Sequence, residues 1–185
     1  QHRFLQHTAE SALHHYNQSI MLSVPVAVSE SFLQLAMQCL VTRHDALRLK
    51  FVNKDNQWHG QFIPMEHLDL QKCVQTFFVE TWASEVVSNI AAKAQTEFDI
   101  RDGHLFRAIL IQGQTESRLF LFAHHLIVDG VSWRIIVQDL HLLWQQYQSE
   151  TRLQLPQKTS SIQQWSQALQ ANHSVFHREQ ADYWQ

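Results

Sequence analysis

The residues best placed for chemistry are two adjacent imidazoles, His124 and His125, at the end of an apolar run and just before a loop that closes with Asp129 and Gly130. Histidine has the side-chain pKa closest to neutrality, so an imidazole held in a cleft can serve as a proton shuttle. Adjacent strand residues point to opposite faces. Only one of the two can face a given cavity, so the pair divides into a site residue and a structural one. A strand end that feeds directly into a helix is also where open α/β sheets place their sites. A structural or surface pair is the competing reading, since the chain holds 13 histidines. The other pair, His14 and His15, precedes a strand without an Asp-Gly turn and makes a weaker case. Metal binding is disfavoured at both, because neighbouring strand residues do not readily chelate one ion and no His-Glu-x-x-His or Cys-x-x-Cys spacing occurs.

The elements that must position such a site follow from periodicity. Tyr16 to Val26 reads as a strand with Pro25 at its end. Ser31 and Gln34 have capping-box spacing, and Phe32, Leu33, Ala36, Met37 and Leu40 recur at helical intervals up to His44. Leu47 to Val52 and Trp58 to Ile63 read as strands around an Asn53 to Asn56 turn, and Val74 to Val79 as a further strand. A helix is expected from Trp82 to Thr96 with Trp82, Val86 and Ile90 on one face. Leu105 to Ile111 and Leu119 to Ala123 are strands joined through a loop of hairpin composition at Gly113 to Ser117. The clearest helix runs from Val131 to Tyr147, with Ile136, Leu140, Leu143 and Tyr147 as its stripe and Arg134, Gln138, Asp139, His141 and Gln145 off it. Short helices at Ser161 to Gln170 and Ser174 to Trp184 follow. This order implies an α/β fold with one mixed β-sheet flanked by helices.

Composition narrows the function classes. A chain of 185 residues with 45% apolar and 17% charged residues can fold around one core, burying about 70% of its extended surface. Its 14 Lys and Arg against 17 Asp and Glu leave a formal charge of -3 with no block of like charge, which disfavours electrostatic binding to nucleic acid or an anionic membrane. Cys39 and Cys73 sit among apolar residues, as suits a reducing compartment. With neither a signal-peptide pattern nor a run long enough to span a bilayer, a soluble cytoplasmic protein is expected.

The stretch His124-His125-Leu126-Ile127-Val128-Asp129-Gly130 resembles the HHxxxDG signature of the condensation superfamily of nonribosomal peptide synthetases, whose fold is similar to chloramphenicol acetyltransferase. Arg43-His44-Asp45-Ala46-Leu47-Arg48 through Phe51 resembles the family's RHxxLRxxF segment, and Phe98-Asp99 through Gly103, Leu105 and Arg107 its FDxxxGxLxR segment. Leu155-Pro156, Lys158 to Ser161, Trp165 and the closing Tyr183-Trp184 sit where the family has similar residues. The resemblance runs along the whole chain but matches only the first of the family's two lobes. Residues 1–185 are therefore expected to form an amino-terminal lobe, excised or one half of a split domain, and to be inactive alone.

The resemblance implies an enzyme acting on aminoacyl or peptidyl thioesters that arrive on the phosphopantetheine arm of a peptidyl carrier domain. No cofactor or metal of its own is expected; its partners are that carrier, the complementary carboxy-terminal lobe and neighbouring synthetase domains. Val131-Ser132-Trp133-Arg134 and His14-His15-Tyr16-Asn17-Gln18-Ser19 resemble patterns of epimerization domains, so proton transfer at the α-carbon is favoured. Peptide-bond-forming condensation is the alternative, and a noncatalytic docking module of the same fold a further one. By the same resemblance His125 is the base or positioning residue, and His124 turns back into the fold and holds the loop. Asp129 is structural, paired with Arg43 or failing that Arg48 as a buried ion pair. Gly130 permits the turn and lets the substrate arm approach. The carboxylate that returns the proton belongs to the other lobe.

Overall fold

The computed structural model describes residues 2–172, so the expected helix from Ser174 to Trp184 lies outside the described residues. In chain order come α1 (His2–His7), β1 (Asn17–Val24), α2 (Glu30–Arg43), β2 (Leu49–Lys54), β3 (Gln57–Phe62) and β4 (Val74–Phe78). They are followed by α3 (Ser84–Thr96), β5 (Phe106–Gln112), β6 (Ser117–His124) and α4 (Gly130–Gln148). Described residues 156–172 fall in a second compact unit. Its described part carries a helix over residues 162–172, where Gln164 N–H donates to Ser161 Oγ at 3.1 Å as an N-cap does.

The main sheet is mixed, in the order β1-β6-β5-β4. β6 pairs antiparallel with both β1 and β5, while β4 runs parallel to β5. Strand alternation gives β6 two buried faces: Leu119 and Leu121 point one way, Phe120 and Phe122 the other. On the Leu119 side lie Val137, Leu140 and Trp144 of α4, and α2 packs against α4. On the other side α3 approaches β6, and Arg118 stacks on the Trp82 ring at 4.5 Å.

Four local expectations are corrected. β2 and β3 form a separate two-stranded ribbon instead of joining the sheet, turned by Asp55 and Asn56 at φ 50° and 61°. That is the paired left-handed geometry of a tight hairpin, which Asp and Asn tolerate. Ser29, not Ser31, caps α2, its hydroxyl accepting from Phe32 N–H at 3.2 Å. In α3 the inward stripe is Val87, Ile90, Ala91 and Ala94, with Val86 exposed, because Trp82 precedes the helix and does not set its phase. Asp139, read from sequence as lying off the α4 stripe, is buried.

The segment from Phe98 to Arg107 is a clasp. Phe98, Ile100 and Leu105 are buried, and Asp99 accepts from the Arg101 and Gly103 backbone N–H groups. Gly103 takes φ 81°, a conformation side chains avoid, and a Cβ there would lie 2.4 Å from Ile63. His14 is part of this clasp: its Nδ1 accepts from Ile100 N–H at 3.2 Å.

Candidate active site

β6 ends at His124, and the loop from Leu126 to Val128 is buried as an apolar plug before α4 begins. His124 is fully buried. Its Nε2–H donates to the Leu13 carbonyl at 2.8 Å, and its Nδ1 accepts from Leu126 N–H at 3.2 Å, so both ring nitrogens are used by the neutral form. Burial pushes its pKa down to about 4, against the opposing pull of the Leu13 carbonyl.

A histidine held neutral in the fold takes up a proton more readily once unfolded. Stability from this group is therefore complete above its usual value of 6.5 and is lost as pH falls from there to about 4, amounting to on the order of 3 kcal/mol. Urea midpoints are expected to fall through that window, and to fall less steeply in His124→Asn. Equal slopes in both proteins would remove His124 as the cause.

His125 is half-buried on the opposite face. Its backbone N–H continues the β1–β6 ladder by donating to the Tyr16 carbonyl at 2.7 Å, and its ring lies against that of Tyr16 at 4.7 Å. Its Nδ1 donates to the Val128 carbonyl at 2.7 Å. Its Nε2 is therefore the unprotonated nitrogen of the neutral ring, and it accepts from the Gln18 amide at 3.3 Å. The Gln18 carbonyl oxygen in turn accepts from the Trp133 indole N–H at 2.9 Å. Such an imidazole can take a proton at Nε2 while the Val128 carbonyl stabilises the cation that results.

Of the other residues expected at the site, Asp129 and Gly130 are brought to the same loop and Arg43 and Arg48 are not. Asp129 is the exposed N-cap of α4; its Oδ1 accepts from the Ser132 N–H at 2.8 Å and hydroxyl at 2.7 Å. Those bonds hold its carboxyl below the usual carboxylate range. The expected buried ion pair is not formed. Arg48 instead reaches Asp45 at 2.6 Å and the carbonyls of Val41 and Ile63 at 2.9 and 2.7 Å. Arg43 Nε lies 3.4 Å from Asp139 Oδ2, which also meets His44 Nε2 at 2.6 Å.

The reason is distance: Asp139 is ten residues, about 15 Å of helix, beyond Asp129, and the end of α2 crosses α4 there. Asp129→Ala should accordingly cost about 1 kcal/mol, the usual worth of an N-cap, in urea unfolding. A loss several times larger would restore the buried-pair reading. Gly130 also differs from expectation. Its φ is not left-handed, and a Cβ would meet nothing within 4 Å, so the turn itself does not require glycine.

Gln18, Tyr16 and Trp133 were not singled out as site residues by their spacing. The only sequence signal for them is their place in the stretches that resemble epimerization domains. Among the described residues no group of three or more His, Cys, Asp or Glu is gathered as a metal site, and no helix is long and apolar enough to cross a membrane. Both cysteines are free, and burial pushes the Cys73 thiol up to about 11, which leaves it a poor nucleophile at neutral pH.

The mixed sheet flanked by helices is shared with solved domains of the chloramphenicol-acetyltransferase-like α/β class. A protein-family model described as the condensation domain matches residues 1–185, and the chain belongs to that family, found in nonribosomal peptide synthetases. A linear gramicidin synthase polypeptide of Brevibacillus parabrevis is 34% identical over 182 residues, covering 95% of this chain and 2% of that protein. A plipastatin synthase polypeptide of Bacillus subtilis (strain 168) is 35% identical over 181 residues, covering 92% of this chain and 7% of its own length.

Among solved structures, the epimerization domain from the third module of tyrocidine synthetase B superposes with a TM-score of 0.82 at 26% identity, covering 92% of this chain and 39% of that one. The starter condensation domain of rhizomide synthetase shares the fold, with a TM-score of 0.77 at 17% identity over 94% of this chain and 44% of its own. The chain thus spans a small fraction of the synthetase polypeptides it matches and less than half of these solved domains.

Proposed function

We propose that this chain is the amino-terminal lobe of a domain that epimerizes the α-carbon of an aminoacyl or peptidyl thioester, with His125 as the group that moves the proton. The observation that carries the reading is the state of His125: Nδ1–H committed to the Val128 carbonyl, Nε2 bare and on the half-exposed face. A carbon acid next to a thioester carbonyl needs such a base close to its proton and donors for the enolate oxygen that develops. In the reaction Nε2 takes the α-proton and the electron pair moves into the carbonyl; a carboxylic acid of the complementary lobe then delivers a proton to the opposite face, leaving that acid a carboxylate and His125 an imidazolium until exchange with solvent resets both. Capping by Asp129 fixes the start of α4 and with it the loop that aims His125. The open space in front of Gly130 leaves room for the phosphopantetheine arm of a peptidyl carrier domain.

Two observations favour epimerization over condensation: the residues around Gln18 and Trp133 resemble epimerization domains, and the tyrocidine epimerization domain is more similar in sequence than the rhizomide condensation domain. Condensation uses the same imidazole to relieve an attacking amine of its proton. The test is the complete domain, this lobe joined to its complement, given an aminoacyl carrier in D₂O. Epimerization puts deuterium at the α-carbon without any acceptor. Dipeptide formed only with an acceptor carrier, and no deuterium, would establish condensation; neither product would leave the docking module. The isolated chain should give neither.

A further inference from the structure

In a chain that joins β1, the loop after β6 and α4, the unambiguous donors and acceptors at the two ends fix the hydrogen-bond directions. Trp133 Nε1 is only a donor, so the Gln18 atom facing it at 2.9 Å is the amide oxygen. The Gln18 NH₂ must then be the group 3.3 Å from His125 Nε2, and it can only donate. From the other end, the Val128 carbonyl can only accept, so the hydrogen lies on His125 Nδ1. Both ends require the same neutral tautomer. The arrangement is built by register: Gln18 pairs with Ala123, so His125 is its diagonal neighbour on the same face, within reach of a long side chain.

We propose that Gln18, with its amide locked by the Trp133 indole, is a positioning residue that offers His125 Nε2 a donor and never an acceptor, so that no competing proton is drawn onto it, and that it marks the place a substrate's proton donor occupies. This rests on the reading of His125 as the reacting imidazole. A contact of 3.3 Å is long for an N–H donor and therefore weak, so an incoming substrate displaces it at little cost. Without the indole the amide would be free to turn its oxygen toward Nε2, and an acceptor there calls for a proton on Nε2. The nitrogen that must receive the substrate's proton would then already carry one.

The decisive variant is Gln18→Glu, which presents an acceptor to both the indole and the imidazole. Gln18 lies half-buried on the outer strand of the sheet, where this change is compatible with folding. The first readout needs no turnover: long-range ¹H–¹⁵N spectra of the ¹⁵N-histidine-labelled chain, with the His125 signals assigned by their loss in His125→Ala. Wild type and Gln18→Leu should show a hydrogen on Nδ1 and none on Nε2, and Gln18→Glu a hydrogen on Nε2. Trp133→Phe should move part of the population the same way.

The second readout is kinetic, in the complete domain. Gln18→Glu should lower kcat about a hundredfold with KM little changed, the loss general-base catalysis supplies, while Gln18→Leu loses about tenfold or less. A wild-type tautomer and wild-type kcat in Gln18→Glu would overturn the proposal even if His125→Ala is inactive. If the wild-type domain has neither activity, the spectra still decide the lock, and the failure belongs to the proposed function.

Discussion

His125→Ala in the complete domain should abolish most turnover while leaving the fold intact. General acid–base catalysis by one positioned group contributes about 10²–10⁴ in rate, equivalent to about 3–5 kcal/mol of transition-state stabilisation. Against that, the structural loss is small: one hydrogen bond to the Val128 carbonyl, a long one from Gln18 and a ring contact with Tyr16, all on a half-buried side chain. Such losses amount to about 1–2 kcal/mol. The expected result is loss of product in the deuterium and acceptor assays with a cooperative urea transition whose midpoint falls only by the equivalent of about 1–2 kcal/mol. His124→Ala should behave oppositely, because it empties a fully buried site and removes both ring hydrogen bonds, one to the Leu13 carbonyl and one from Leu126 N–H. A midpoint that collapses in His125→Ala, with activity surviving in the folded fraction, would reverse the two roles.

The largest change in stability is expected at Asp139. Its carboxylate is buried where α2 ends against α4, with His44 Nε2 at 2.6 Å and Arg43 Nε at 3.4 Å. Removing one member of a buried ion pair costs about 3–5 kcal/mol, because the partner keeps its desolvation penalty and loses its compensation. The Arg43 and His44 side chains retain 19% and 23% exposure, which places Asp139→Ala near the lower end, at about 3 kcal/mol. That is a large part of an ordinary domain's total of about 5–15 kcal/mol. Asp139→Asn should cost less, since its amide oxygen still accepts from His44. Urea unfolding of both variants beside Asp129→Ala gives the comparison: Asp139→Ala should lose several times more than Asp129→Ala. The reverse order would mean that the helix cap, not the contact between helices, holds this part of the fold.

The features legible in the residues alone lie within reach of local physics. The order of strands and helices followed from periods of 2 and 3.6, and the division of His124 from His125 followed from strand alternation, which acts between neighbours. Motif spacing carried the family, because its segments keep their order along the chain. Helix α4 was legible to within a residue at each end, with Asp129 before it and Ile136, Leu140 and Leu143 of its expected stripe buried, while Tyr147 is exposed.

Which distant residues meet was set by strand register and by the crossing of packed elements. Gln18 reaches His125 because β1 pairs with β6 in one register, and a shift of one residue would turn its side chain to the other face. Asp129 and Asp139 are both acidic residues in α4's vicinity, and nothing local tells which one an arginine from α2 will find. The crossing of the two helices brings Arg43 and His44 to Asp139 and leaves Asp129 to cap its own helix, exposed. Likewise the β2–β3 ribbon has strand periodicity throughout yet stays out of the main sheet, since propensity specifies extended backbone and not its partner. Contacts between elements depend on where packed faces cross, and that geometry is a property of the whole core.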